Sequence, residues 1–139
     1  MTPAIEFPPN NATVPGKMSD AEWPNPLAAC PGYDLPIGTP VTLQMGAFVK
    51  VQLESYEIVD ETAGHEIETC GFDASTYTQA NGRGVLMNYG AVVIIPRKPL
   101  TPGHTYQVTV RTHRHVKTWN FRVRPSTNRR APYDEASVQ

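Results

Sequence analysis

The sequence predicts an all-β domain of two packed sheets, and three observations carry that reading. Near the C-terminus Tyr106, Val108 and Val110 alternate with Gln107, Thr109 and Arg111, and Trp119, Phe121 and Val123 alternate with Thr118, Asn120 and Arg122. Each run has the period of a strand with one buried and one wet face. The short polar segment His113-Arg114-His115-Val116 joins them as an antiparallel hairpin. The apolar side chains of both runs share one face, which a second sheet has to cover. Second, fourteen prolines and ten glycines among 139 residues break up every long helix. Third, no window carries a sustained 3.6-residue apolar period, whereas short alternating runs between turn residues recur throughout.

In chain order, Ile5 and Phe7 alternate with polar neighbours until Pro8-Pro9, which reads as a short edge strand. Asn11-Ala12-Thr13 matches an N-glycosylation sequon. Residues 16–39 form a long irregular stretch around Trp23, Cys30 and Tyr33, expected to be pinned by Trp23 packing on the sandwich and by a disulfide. Val41, Leu43 and Met45 point inward from the next strand. A strand over 48–58 follows, with Val49, Val51 and Leu53 on one face. There the phase slips to Tyr56 and Ile58, as a bulge near Ser55 would produce. Residues 60–71 read as a turn and a charged edge strand, 72–84 as a polar loop, and Val85-Leu86-Met87 as a brief strand. Ala91-Val92-Val93-Ile94-Ile95 is apolar on both faces, as a central strand is. Leu100-Thr101-Pro102-Gly103-His104-Thr105-Tyr106 places a turn before a strand that starts with tyrosine; in sandwich domains such a tyrosine bonds back to the preceding corner. The count is seven or eight antiparallel strands, with a sandwich over residues 1–124 and a loosely ordered tail over 125–139.

Composition narrows the chemistry. A net charge of −1 gives no global attraction to nucleic acid or acidic membranes. Arg111, Arg114, Lys117, Arg122, Arg124, Arg129 and Arg130 make the C-terminal third basic, but the aromatics lie on the opposite face, so a solvated surface is expected rather than a nucleic-acid stripe. No apolar run is long enough to span a bilayer, and Met1–Phe7 does not read as a signal peptide. Cys30 and Cys70 lack Cys-x-x-Cys spacing and lie in turn-rich surroundings. A single disulfide between them, and hence an oxidising compartment, is expected over two free thiols. The chain is then read as part of a longer secreted protein.

Candidate catalytic and metal sites are sparse. His113 and His115 are two apart at the hairpin tip, while His104 lies about 26 Å away at 3.3 Å per residue, and His65 is unplaced. Two histidines fall short of a zinc or copper ligand set, so no metal or other cofactor is expected. No Gly-x-Ser-x-Gly elbow is present. Asp60, Glu61, Glu66 and Glu68 lack calcium-loop spacing and suit a charged edge strand. The loop aromatics Trp23 and Tyr33, with Tyr77 and Tyr89, remain a candidate ligand surface or a cap on the core.

The strand spacing suits an immunoglobulin-like sandwich with the hairpin as its strands F and G. Pro8-Pro9-Asn10-Asn11-Ala12-Thr13-Val14-Pro15 resembles the opening of bacterial Ig-like domains. Glu22-Trp23-Pro24-Asn25-Pro26, Gly38-Thr39-Pro40-Val41-Thr42-Leu43-Gln44 and residues 99–110, closed by Trp119-Asn120-Phe121, resemble in order the modules that follow CAP domains in secreted bacterial proteins. The Pro-Leu-x-Pro-Gly-x-x-Tyr and Trp-x-Phe pieces are shared with fibronectin type III-like folds. The similarity spans most of residues 5–124. It implies a secreted, periplasmic or cell-surface accessory domain without catalysis of its own, adjoining another domain and serving as spacer or adhesion module. A carbohydrate- or peptide-binding module using the long loop is the alternative, and a metal-binding periplasmic protein the weaker one.

Overall fold

The computed structural model describes residues 4–19, 26–47, 49–77 and 80–126. The strands, in chain order, are β1 (Ile5–Phe7), β2 (Thr13–Val14), β3 (Lys17–Met18), β4 (Ile37–Gly38), β5 (Val41–Gln44) and β6 (Leu53–Asp60). Then come β7 (His65–Glu66), β8 (Thr69–Phe72), a helix α1 (Ala80–Tyr89), β9 (Ala91–Pro96), β10 (Thr105–Thr112) and β11 (Val116–Val123). A 3₁₀ turn covers Pro26–Ala29. One sheet has the order β1-β5-β9-β8 and the other β2-β11-β10-β6-β7, with β3 and β4 paired apart. The all-β expectation therefore holds.

The two sheets share one core. Val41, Leu43, Val92 and Ile94 from the four-stranded sheet join Ile58, Val108, Val110, Trp119, Phe121 and Val123 from the five-stranded one. The hairpin pairs as its alternation requires, Tyr106 opposite Phe121 and Val108 opposite Trp119. Tyr106, Trp119 and Phe121 are all buried, the Tyr106 and Phe121 rings stack, and the Trp119 indole N–H donates to the Pro8 carbonyl at 2.8 Å. The outer face of the four-stranded sheet is covered by a second cluster, in which Cys30, Ile37, Phe72, Tyr77, Leu86 and Ile95 meet.

Three features depart from the expected pattern. The chain has more strands than seven or eight among the described residues, and β2 runs parallel to β11. That pairing is reinforced by Arg122 N–H to Ala12 O and Arg124 N–H to Val14 O, both 2.8 Å. Residues 80–89 are helical, not a polar loop followed by a strand at Val85-Leu86-Met87. Leu86 is buried on the second cluster while Val85 and Met87 stay exposed, and Gly90 ends the helix at φ 58°. The strand expected from Phe48 begins only at Leu53; Phe48 itself lies outside the described residues. Arg111 pairs Ser55 and Thr112 pairs Leu53, so Glu54 is the extra residue of a bulge, next to the expected Ser55.

Candidate functional site

The two ends of the sandwich carry different chemistry. At one end the β10 strand is entered through Thr101-Pro102-Gly103-His104, where His104 N–H donates to Thr101 O and Gly103 takes φ 81°. This is the turn that proline and glycine specify. It aims the Thr101 N–H at the Tyr106 hydroxyl, which accepts it at 2.8 Å. The same hydroxyl faces the carboxylate of Asp60, which lies opposite Tyr106 on β6. Asp60 is 3% exposed. Its carboxylate accepts the Ala63 N–H at 2.9 Å and lies 2.8 Å from His104 Nδ1. Burial pushes the Asp60 carboxyl up, yet the Ala63 N–H, His104 and Tyr106 together hold it below the ordinary aspartate range. The network borders a cleft of about 400 Å³, also lined by His65, Glu66, Glu68, Arg97 and Lys98.

This end corrects the sequence reading of the acidic residues: Asp60 is not part of a solvated charged edge but a buried acceptor. Its signal was in the sequence, because Asp60 follows Tyr56 and Ile58 in the inward phase. His104 supplies the partner from 44 residues away, a pairing that spacing alone does not reveal. An aspartate bonded to a histidine is two-thirds of a hydrolase triad. Here both groups tie a hairpin turn to the β10 entry.

At the other end three connections meet: residues 45–52 between β5 and β6, 73–90 between β8 and β9, and the 113–115 hairpin tip. Their bonds hold them together. Asp73, 2% exposed, accepts Leu53 N–H at 2.7 Å and Ser75 N–H at 2.8 Å. Burial raises the Asp73 carboxyl, and the Leu53 N–H with the Ser75 and Thr76 bonds outweighs it, leaving the group below its usual range. His113 donates its N–H to Gln52 O at 3.1 Å and accepts the Gln52 N–H on Nδ1 at 3.2 Å. Two clefts of about 340 and 280 Å³ flank the Val49–Val51 backbone, one toward the hairpin tip and one toward α1.

The expected site residues distribute as follows. Cys30 and Cys70 are bridged, and Cys70 lies on β8 rather than in a loop. The bridge fastens the stretch after the 3₁₀ turn to the sheet edge. Tyr33 is half-buried, with the Arg97 guanidinium 5.3 Å above its ring; Arg97 also pairs with Glu68 at 2.9 Å. Burial and the Glu68 charge raise the Tyr33 hydroxyl. Trp23 lies outside the described residues, so the two aromatics are not placed as one platform. Tyr77 is buried and stacks on Phe72, while Tyr89 at the end of α1 is 54% exposed. His113 and His115 are exposed at the tip, and among the described residues no three His, Cys, Asp or Glu side chains are grouped to hold a metal ion. No described helix is long and apolar enough to cross a membrane. Neither a scan against protein-family models nor a search of curated proteins returns a match to this chain.

Proposed function

We propose that this chain is a non-catalytic immunoglobulin-like module of a secreted or cell-surface bacterial protein, serving as spacer and protein-interaction domain. The observation that carries the reading is the strand order. Taken as strands A, B, E and D, β1-β5-β9-β8 follows the first sheet of an Ig-like sandwich, and β2-β11-β10-β6-β7 follows the second as A′, G, F, C and C′. The Tyr106 bond to Thr101 is the corner such domains place at the start of strand F. The disulfide suits an oxidising, extracytoplasmic setting. The CAP-type context rests on the sequence resemblance alone. The Arg97 cation over Tyr33 favours a covered aromatic over an open sugar platform.

A glycan array and a panel of chromogenic ester, peptide and glycoside substrates test this with the purified domain. Silence on both is expected. Glycan binding lost on Tyr33→Ala would install the sugar-binding reading instead, and turnover lost on His104→Ala would make the chain an enzyme.

A further inference from the structure

The end where the 45–52, 73–90 and 113–115 connections meet differs in chemistry from the cleft at the other end, which Asp60, Glu66 and Glu68 line. Its two clefts share Val49, Lys50 and Val51 and are lined without a single aspartate or glutamate among the described residues. The chain carries 13 acidic residues against 12 lysines and arginines, so this is segregation rather than general basicity. Lys50, Arg83 and Arg114 come from the three different connections, and none has a carboxylate partner among the described residues. Exposed apolar side chains line the same clefts: Val49 at 38%, Met87 at 54% and Val116 at 52%. Lys117, on the rim of the first cleft, is paired with Glu6 at 3.5 Å, and Arg83 donates to the Tyr77 carbonyl, which leaves its charge without a counter-ion. A scattered exposed valine needs no explanation, but apolar side chains gathered at two adjoining clefts beside three cations without a carboxylate do.

We propose that this end docks an acidic peptide segment of a partner protein, whose apolar side chains enter the two clefts while its carboxylates meet Lys50, Arg83 and Arg114. The proposal rests on the module reading above and names the partner's chemistry. Charge complementarity selects an acidic occupant. The separation of the cations over three connections, around two clefts divided by the Val49–Val51 backbone, suits an extended chain with several carboxylates rather than one small anion. Clefts lined by apolar and cationic side chains together suit an acidic amphipathic segment.

The test is fluorescence anisotropy with a labelled synthetic peptide of glutamate alternating with leucine and phenylalanine. Binding is expected that weakens with added salt and falls about tenfold in Lys50→Glu/Arg114→Glu, the scale of losing two exposed charge pairs. Lys98→Glu, in the cleft at the opposite end, is expected to leave it unchanged. Matching thermal melts show that the exposed substitutions leave the fold intact. No binding, equal binding of a lysine-for-glutamate peptide, or equal loss in Lys98→Glu overturns the proposal. So does tighter binding of heparin or of phosphatidylglycerol vesicles, which would assign the surface to a sulfated glycan or a lipid headgroup. These outcomes leave the module reading standing, because only the glycan and substrate panels bear on that.

Discussion

Removing the Asp60 carboxylate is the sharpest test of how the β10 entry is held. Asp60→Ala strands two donors, the Ala63 N–H and His104 Nδ1–H, and takes away the carboxylate that the buried Tyr106 hydroxyl faces. Ala63 is exposed and His104 keeps 27% of its side-chain surface, so both regain bonds to water, whereas Tyr106 is 1% exposed and does not. A buried donor without a partner costs about 1–3 kcal/mol, and the two wetter ones add about 0.5–1 kcal/mol each. The expected loss is about 3 kcal/mol, or roughly 10 °C in Tm for a domain of this size. Asp60→Asn keeps an acceptor for Ala63 and is expected to lose about half as much. The pH dependence has a definite sign. The folded carboxyl sits below its unfolded value of 3.8, so its contribution is present above that pH and fades as pH falls through the folded value. Urea denaturation of wild type, Asp60→Ala and Asp60→Asn across acid pH is the assay. The gap between wild type and Asp60→Asn is expected to close on acidification. A loss under about 0.5 kcal/mol in Asp60→Ala, or a gap that does not change with pH, would refute the account of a buried carboxylate organising this corner.

Further outcomes follow from the same packing. Replacing both Cys30 and Cys70 by alanine opens a loop with sequence separation 40 and is expected to cost about 4 kcal/mol in the chain-entropy view, read by denaturation with and without reductant. Trp119→Phe loses the indole bond to Pro8 and is expected to cost about 1–2 kcal/mol, while Trp119→Ala also opens the shared core and reaches about 3–5 kcal/mol, both by thermal melt. Gly90→Ala forces a side chain into φ 58° with its Cβ 2.5 Å from Gly46 O, so a loss of about 2–3 kcal/mol is expected by urea titration.

The C-terminal hairpin was legible because its alternation is long, its turn polar and its large side chains all in phase. The Glu54 bulge was legible for the same reason, as a change of phase between Leu53 and Tyr56. The helix was not. Asn81-Gly82-Arg83-Gly84 has poor intrinsic helix propensity, and what supports 80–89 is Leu86 joining the buried cluster that holds Phe72 and Tyr77, packing no local window displays. Val49 and Val51 alternate like a strand, yet β6 pairs with β10 only as far as Leu53 opposite Thr112, and beyond it the chain turns aside to border the two clefts. The disulfide was anticipated from two lone cysteines, and the aspartate–histidine contact was missed because its members belong to segments that meet only after the sheet assembles.

The parallel run of β2 beside β11 has a mechanical consequence. The chain enters β2 at its N-terminal end and leaves β11 at its C-terminal end, so opposite pulls on the two strands act along their shared axis. The bonds from Ala12 and Val14 to Arg122 and Arg124 then resist together in shear instead of opening one after another. A segment strung between two anchored neighbours would in this way yield abruptly at a threshold force rather than unravel gradually.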